Sequence, residues 1–526
     1  MFFAQFENKQ LGTIDVISYD FHIDINDTDN HIDATNILRF VPSFEAKSIF
    51  LNLKNVNRSG KGMQVISVTD LQDTPMIYEH KNDTLDILLP KRLSNQDTVS
   101  LQIKYSGIPA DGLYIKKNKY GRRSFFGDNW PNRARYWLPV IDHPSDKALV
   151  SWHITAPSHY DVVASGRLIT KKKTDDKTQY LFRTKVPLAT KVMVFGASDF
   201  KIKNYPVLRL TDACIPVSSW IYRDAPDAGF DDYKIALDVM KFYDSLVGAY
   251  SYQKLANVQS KTRFGGMENA GNIFYTEKSV DGTRSADNLV AHEIGHQWFG
   301  NSVTEKNWRD IWLSEGFATY LTDLFIEHRY GEQKLKERMQ MERQKVIRYN
   351  TYNPQPVVFD EKNDLMRLLN PNSYEKGAWI LHMLRQKTGD KTFFAILQNF
   401  YKQYRNKNAS TEDFIAIAEK QSGLNLQIFF EQWLYRKGVP KLRIAYKLDT
   451  ASKKMKVKVL QKNEVYTLDL PIRMIWNGGQ TDFVWHINKQ NQIFDIQLPT
   501  TFHSEGFRME VDPDVQVLAT IKLIKP

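Results

Sequence analysis

Asp287-Asn288-Leu289-Val290-Ala291-His292-Glu293-Ile294-Gly295-His296-Gln297-Trp298-Phe299-Gly300-Asn301 reads as one amphipathic helix. Ser285 is the expected N-cap with Asn288 three residues on, Leu289, Val290, Ala291 and Ile294 form the apolar side, and Gly300-Asn301 is the expected close. Residues four apart share a helix face, so His292 and His296 can offer two imidazole nitrogens to one ion. Glu293, rotated by about 100° from His292, faces the open position where a general base is needed. The five residues alone are weak evidence, because a chance match arises in roughly one such chain in a hundred and two surface histidines explain it as well.

The next segment carries a possible third ligand. Asn307-Trp308-Arg309-Asp310-Ile311-Trp312-Leu313-Ser314-Glu315-Gly316-Phe317-Ala318-Thr319-Tyr320 is apolar and aromatic enough to be buried. The Glu315 carboxylate would be costly there unless a metal or a paired cation neutralised it. Two imidazoles and one carboxylate leave a fourth position for water, which marks a catalytic zinc site rather than a closed structural one.

A chain of 526 residues suggests about three domains. The first two hundred residues alternate apolar and polar, as in Tyr19-Asp20-Phe21-His22-Ile23-Asp24-Ile25, and predict a β-domain, a saddle or sandwich. From about Asp231 the spacing becomes helical, with Ala236, Met240, Tyr243 and Val247 on one face. Helical signals dominate to about Tyr435, with Ser410 as a further N-cap. After Gly438-Val439-Pro440 the period returns to two, and Asn477-Gly478 marks a hairpin turn. In Lys454-Met455-Lys456-Val457-Lys458-Val459 the lysines read as the solvated face of a strand. The expected fold is multidomain α+β, with an N-terminal β-domain over 1–205, a mainly α domain over 206–440 and a C-terminal β-sandwich over 441–526.

The formal net charge of +11 is scattered and accompanies no nucleic-acid module, so a nucleic-acid partner is not expected. No stretch of about 18 apolar residues is present to span a bilayer. Cys214, the only cysteine, excludes an intrachain disulfide. As the chain stands it reads as soluble and cytoplasmic. Phe3-Ala4-Gln5 as the tail of a missing signal would make it periplasmic or secreted.

Two further motifs bear on chemistry. Gly265-Gly266-Met267-Glu268-Asn269 combines glycines that admit close backbone approach with a carboxylate able to hold a free α-ammonium. A solvated loop glutamate is the alternative that those residues alone leave open. Tyr374, in Tyr374-Glu375-Lys376-Gly377, is either a donor to a tetrahedral oxyanion or a core tyrosine.

Taken in order, Gly-x-Met-Glu-Asn, His-Glu-x-x-His, a Glu after eighteen intervening residues and Tyr-Glu-Lys-Gly resemble the aminopeptidase N family of zinc metallopeptidases. His296-Gln297-Trp298-Phe299-Gly300-Asn301, Phe430-Glu431-Gln432-Trp433-Leu434, Ala134-Arg135-Tyr136-Trp137-Leu138-Pro139 and Pro144-Ser145-Asp146-Lys147-Ala148 extend the likeness, densest between residues 128 and 440. The resemblance implies a β-saddle, a thermolysin-like catalytic domain and a β-sandwich. It implies one Zn2+ per chain on His292, His296 and Glu315, with Glu293 as general base, Glu268 on the substrate amine within Gly265, Gly266, Met267 and Asn269, and Tyr374 on the oxyanion. Peptides with a free N-terminus are the implied substrates. A zinc endopeptidase, an epoxide hydrolase like the leukotriene enzyme and a non-catalytic binding protein are the alternatives, and the oligomeric state stays open.

Asp128, in Gly127-Asp128-Asn129-Trp130-Pro131, departs from the family, whose relatives commonly place glutamine at the pocket edge. A second ammonium anchor or a preference for a basic first residue is the expected consequence. Larger relatives continue into a helical domain that covers the cleft, whereas this sequence ends at Pro526, so a more open cleft or one closed by another subunit is expected.

Overall fold

The computed structural model describes residues 13–43, 46–361 and 363–524, which leaves Phe3-Ala4-Gln5 outside the described part. The chain divides into two compact units, Met1–Trp308 with Lys362–Met366 and Tyr401–Ser410, and Arg309–Glu361 with Arg367–Phe400 and Thr411–Pro526. No helix among the described residues is long and apolar enough to cross a membrane.

The first unit begins with the expected alternation. Strands Arg167–Thr174, Lys177–Arg183, Lys147–Pro157, Ile14–Asp24, Ile32–Pro42, Val99–Ile108 and Gly62–Thr69 lie side by side in that order. Ile14–Asp24 and Lys147–Pro157 run parallel, with Phe21 opposite Trp152 and His22 opposite His153. One face is buried through Tyr19, Phe21, Ile23, Trp152, Leu38 and Tyr105. Phe21 and Trp152 stack at 4.9 Å between ring centroids, a geometry that adds to their area burial.

A second, five-stranded sheet, Phe200–Asn204, Val217–Tyr222, Leu255–Ser260, Asn272–Thr276 and Gly266–Met267, departs from the expected helical stretch after Asp231. Its central strand pairs parallel with both neighbours. Every residue of Leu255–Ser260 is buried, so the strand carries no period-two signal. Helices α1 (Pro226–Asp232), α2 (Ala236–Val247) and α3 (Asp287–Gly295) belong to the same unit, which also holds a four-stranded and a three-stranded sheet. As the spacing predicts, α2 buries Ala236, Met240, Tyr243 and Val247.

Two lysines, Lys147 half-buried and Lys191 buried, secure the segment that follows α3. Lys147 donates from Nζ to the carbonyls of Asn301 at 3.1 Å, Ser302 at 2.8 Å and Lys407 at 3.3 Å. Lys191 pairs with Glu305 at 2.6 Å, both side chains almost wholly inaccessible. Removing one partner of such a pair leaves a buried charge and costs about 3–5 kcal/mol.

The second unit holds α4 (Trp312–Tyr330), α5 (Glu332–Tyr352), α6 (Gly377–Thr388), most of α7 (Asp390–Tyr404) and α8 (Thr411–Ser422), the last starting directly after Ser410 as expected. Phe317 lies 5.1 Å from Phe414 and 5.9 Å from Phe400 between ring centroids, at the centre of the helical core. Two antiparallel-rich sheets follow, one ordered Asn491–Gln497, Lys454–Lys462, Lys441–Asp449, Thr520–Ile524 and the other Gly479–Ile487, Leu468–Trp476, Arg508–Val511. Met455, Val457 and Val459 are buried while the intervening lysines are exposed. Asn477 and Gly478 form the two-residue turn between Leu468–Trp476 and Gly479–Ile487, with Gly478 at φ 89°, as its sequence requires.

Candidate active site

In the first unit, α3 buries Val290, Ala291 and Ile294 completely and presents His292 and Glu293 on its other side. The start of the helix differs from expectation. Ala286 occupies the N-cap without a side-chain bond, and the Ser285 hydroxyl donates instead to Asp281 Oδ2 at 2.6 Å. Asp232, at the end of α1, holds this entry by accepting the backbone N–H groups of Asp281, Gly282 and Arg284, each at 2.9 Å. The α-helix ends at Gly295, five residues before Gly300. His296 nonetheless keeps helical dihedrals, and Phe299 still donates its N–H to the Gly295 carbonyl at 3.2 Å.

That continued winding lets the two histidines converge. His292 Nε2 and His296 Nε2 lie 3.1 Å apart, with the rings perpendicular. Two nitrogens on one zinc at the usual bond lengths would be separated by about 3.3 Å, so the pair fits a shared ion. His296 Nδ1 lies 3.2 Å from the Phe299 carbonyl, the outer contact that fixes a ligating imidazole with its Nε2 lone pair free for metal. The donor set suits zinc.

Glu293 is 5% exposed and lies directly beneath the Gly265-Gly266 backbone: a Cβ on Gly266 would meet its carboxylate. Gly266–Met267 is a short edge strand antiparallel to Asn272–Thr276, which brings the main chain this close. Burial, and then the charge of Glu293, push the Tyr275 phenol well up. Met267 and Asn269 are buried beside it.

Glu268 is held by its main chain. Its carbonyl accepts from Gln297 Nε2 at 2.8 Å and Asn301 Nδ2 at 2.5 Å, and Gln297 Oε1 accepts from the Gly271 N–H at 2.9 Å. The carboxylate is 6% exposed, and its buried Oε1 has no hydrogen-bond partner among the described residues. A carboxylate oxygen so placed calls for a cation. Gln297 and Asn301 lay within the quoted motif, but sequence reasoning gave them no role.

Asp128 corrects the expectation of a second ammonium anchor. It is fully buried, and Arg133 donates to one of its oxygens. The other accepts from the Thr262 hydroxyl at 3.3 Å and the Arg263 N–H at 3.2 Å. The charge is answered inside the protein, by an arginine five residues further along the same turn. What Asp128 positions is the loop that leads into Gly265.

In the second unit Glu315 lies in the first turns of α4 and is 4% exposed. Tyr374 stands half-buried in a single π-helical turn, Asn372–Lys376, that runs straight into α6. Such turns occur often at functional sites because they re-aim one side chain. Gly316 and Gly377 bring α4 and α6 into backbone contact, since a Cβ on either would lie 2.9 Å from the Cα of the other. The contact falls one residue after Glu315 and three after Tyr374, so it fixes both. Lys376, whose ammonium is pulled down to about 7 by burial, donates to the Gly438 carbonyl at 2.9 Å and ties this turn to the end of the helical region. Gly377→Ala is expected to force the helices apart at a cost of about 1–3 kcal/mol, with turnover falling more than Tm accounts for. Thermal melts read beside kcat will show whether both change.

A β-rich first part, a helical body and a helix offering paired imidazoles beside a carboxylate are the build of a metallopeptidase. The profile of the peptidase M1 N-terminal domain matches residues 16–192, and that of the peptidase family M1 domain matches residues 232–433. The chain belongs to peptidase family M1. It is similar to the glutamyl aminopeptidase of Homo sapiens, 28% identical over 333 residues, 60% of this chain and 34% of the relative. It is also similar to the probable aminopeptidase 2 of Sulfurisphaera tokodaii, 27% identical over 385 residues, 69% of this chain and 48% of that one. The chain thus spans less than half the length of these curated relatives. A crystal structure of a mutant M1 zinc metallopeptidase from Deinococcus radiodurans, bound to a Tyr-Ser-Ala substrate, shares the fold. Its TM-score is 0.70 at 22% identity, covering 81% of this chain and 95% of that one.

Proposed function

We propose that this protein is a zinc-dependent aminopeptidase that removes the first residue from peptides. The observation that carries the reading is the pair of Nε2 atoms 3.1 Å apart on the helix that also bears Glu293. His292, His296 and Glu315 are the proposed ligands. For Glu315 the support is its burial on α4 and its place in the motif order of the family. Zinc bound there supplies Lewis-acid activation of water and of the scissile carbonyl.

The remaining steps belong to side chains of this chain. Glu293 accepts the proton of the attacking water and returns it to the leaving amine. Tyr374 donates a hydrogen bond to the oxyanion that forms. Glu268, with the backbone of Gly265, Gly266, Met267 and Asn269 around it, binds the α-ammonium through the carboxylate oxygen that has no hydrogen-bond partner among the described residues. That anchor sets the scissile bond one residue from the free N-terminus.

A panel of aminoacyl amides, each assayed beside its N-acetylated twin and with and without chelator, tests the reading. Cleavage confined to the free amines and abolished by chelator is expected. Equal cleavage of both twins would instead assign an endopeptidase, and purified protein that takes up no zinc would restore the binding-protein reading.

A further inference from the structure

We propose that Asp20, His22 and His153 form a second site for a divalent transition ion, on the open face of the large N-terminal sheet. Asp20 and His22 are two residues apart on strand Ile14–Asp24, so they project from the same face. His153 lies directly opposite His22 on the parallel strand Lys147–Pro157. Segments 131 residues apart in sequence, as His22 and His153 are, are thereby brought together to supply two imidazoles and one carboxylate.

The geometry is that of a ligand set. The ligand atoms of the three residues all lie within 4.8 Å of one another. Both Nε2 atoms point at the same oxygen, Asp20 Oδ1, from 3.0 Å for His153 and 3.4 Å for His22. These separations match the edge of about 3.3 Å expected between ligands on one zinc ion. The imidazole rings stack at 4.0 Å between centroids with planes 9° apart. Two protonated rings would repel at that distance, whereas two neutral rings on one cation would not.

Packing fixes the cluster from beneath. Tyr19, Phe21, Ile23, Trp152 and Ile154 alternate with these residues and are buried, which fixes the backbone beneath the cluster. The side chains of Asp20, His22 and His153 are 32%, 44% and 32% exposed, while the ligating atoms Asp20 Oδ1 and His153 Nε2 are themselves buried. Among the described residues Asp20 pairs with the two histidines and with no lysine or arginine. Two imidazoles with one carboxylate select Zn2+, Ni2+ or Cu2+ over Ca2+ and Mg2+, which prefer all-oxygen sets. A bound ion would clip the parallel pair of strands Ile14–Asp24 and Lys147–Pro157.

Metal analysis of the full chain, stripped with chelator and dialysed against micromolar free Zn2+, tests the proposal. Wild type is expected to hold two ions. His22→Ala/His153→Ala is expected to hold one with its turnover unchanged. His292→Ala/His296→Ala is expected to hold one with turnover lost, and its Cu2+ form should show electron-spin coupling to two nitrogens. That last result stands whether or not the peptidase reading does. Should the first double variant fold poorly, His153→Gln added to His292→Ala/His296→Ala should reduce the coupling to one nitrogen. The proposal is overturned if His292→Ala/His296→Ala binds no ion, if His22→Ala/His153→Ala still binds two, or if uptake at the strands half-saturates only in millimolar metal.

Discussion

Glu293→Gln should leave bound zinc and Tm unchanged while turnover falls by about two to four orders of magnitude, the usual contribution of a positioned general base. Glutamine has nearly the same shape, so it fits beneath the Gly265-Gly266 backbone where the carboxylate lies. The paired Nε2 atoms of His292 and His296 are untouched by the exchange, so metal affinity should hold. What is lost is the capacity to take a proton from water. A change confined to kcat, with KM nearly constant, separates this from a binding defect. The decisive pair of measurements is zinc content and kcat on one aminoacyl amide. Near wild-type turnover at full zinc content would require another base.

The two parts of the fold differed in legibility for a physical reason. Strands with one wet face alternate, so Ile14–Asp24 and Lys454–Lys462 were visible as strands, and the Asn477-Gly478 turn was visible from the positive φ that glycine admits. Leu255–Ser260 was not, because a parallel strand covered on both faces loses its alternation and sits within a stretch of helical signals. The start of α3 was misplaced because two local bonds compete for one hydroxyl. Asp281, four residues before Ser285, takes it, and Asp232, some fifty residues away, holds the loop in its place.

The site divides along the same line. The histidine pair and Glu293 were legible because helical spacing alone puts them together. Asp128 was misjudged, since its charge looks available until Arg133 folds back onto it. The contact of Gly316 with Gly377 and the three carbonyls around Lys147 join residues too far apart in sequence for any local pattern to announce them.

The same distinction between side chain and backbone makes Glu268 the sharpest test of the exopeptidase reading. Its carbonyl is fixed by Gln297 and Asn301, so replacing the side chain should leave the loop in place. Glu268→Ala removes only the carboxylate whose Oε1 lacks a partner among the described residues. Truncating one side of a buried charged hydrogen bond costs about 2–5 kcal/mol. For free-amine substrates kcat/KM should therefore fall by about one and a half to three and a half orders of magnitude, at about 1.4 kcal/mol per factor of ten. An N-acetylated twin makes no such bond, so whatever residual cleavage it shows should be unchanged, and the difference between the two substrates should shrink. Glu268→Gln keeps hydrogen bonding but not charge, and should fall between the alanine variant and wild type. The loss should also depend on pH. An α-ammonium deprotonates with a pKa of about 7.7–8.0, so wild type and Glu268→Ala should converge as pH rises above that range. A uniform loss on both substrates at every pH would show that Glu268 supports the loop rather than the peptide amine.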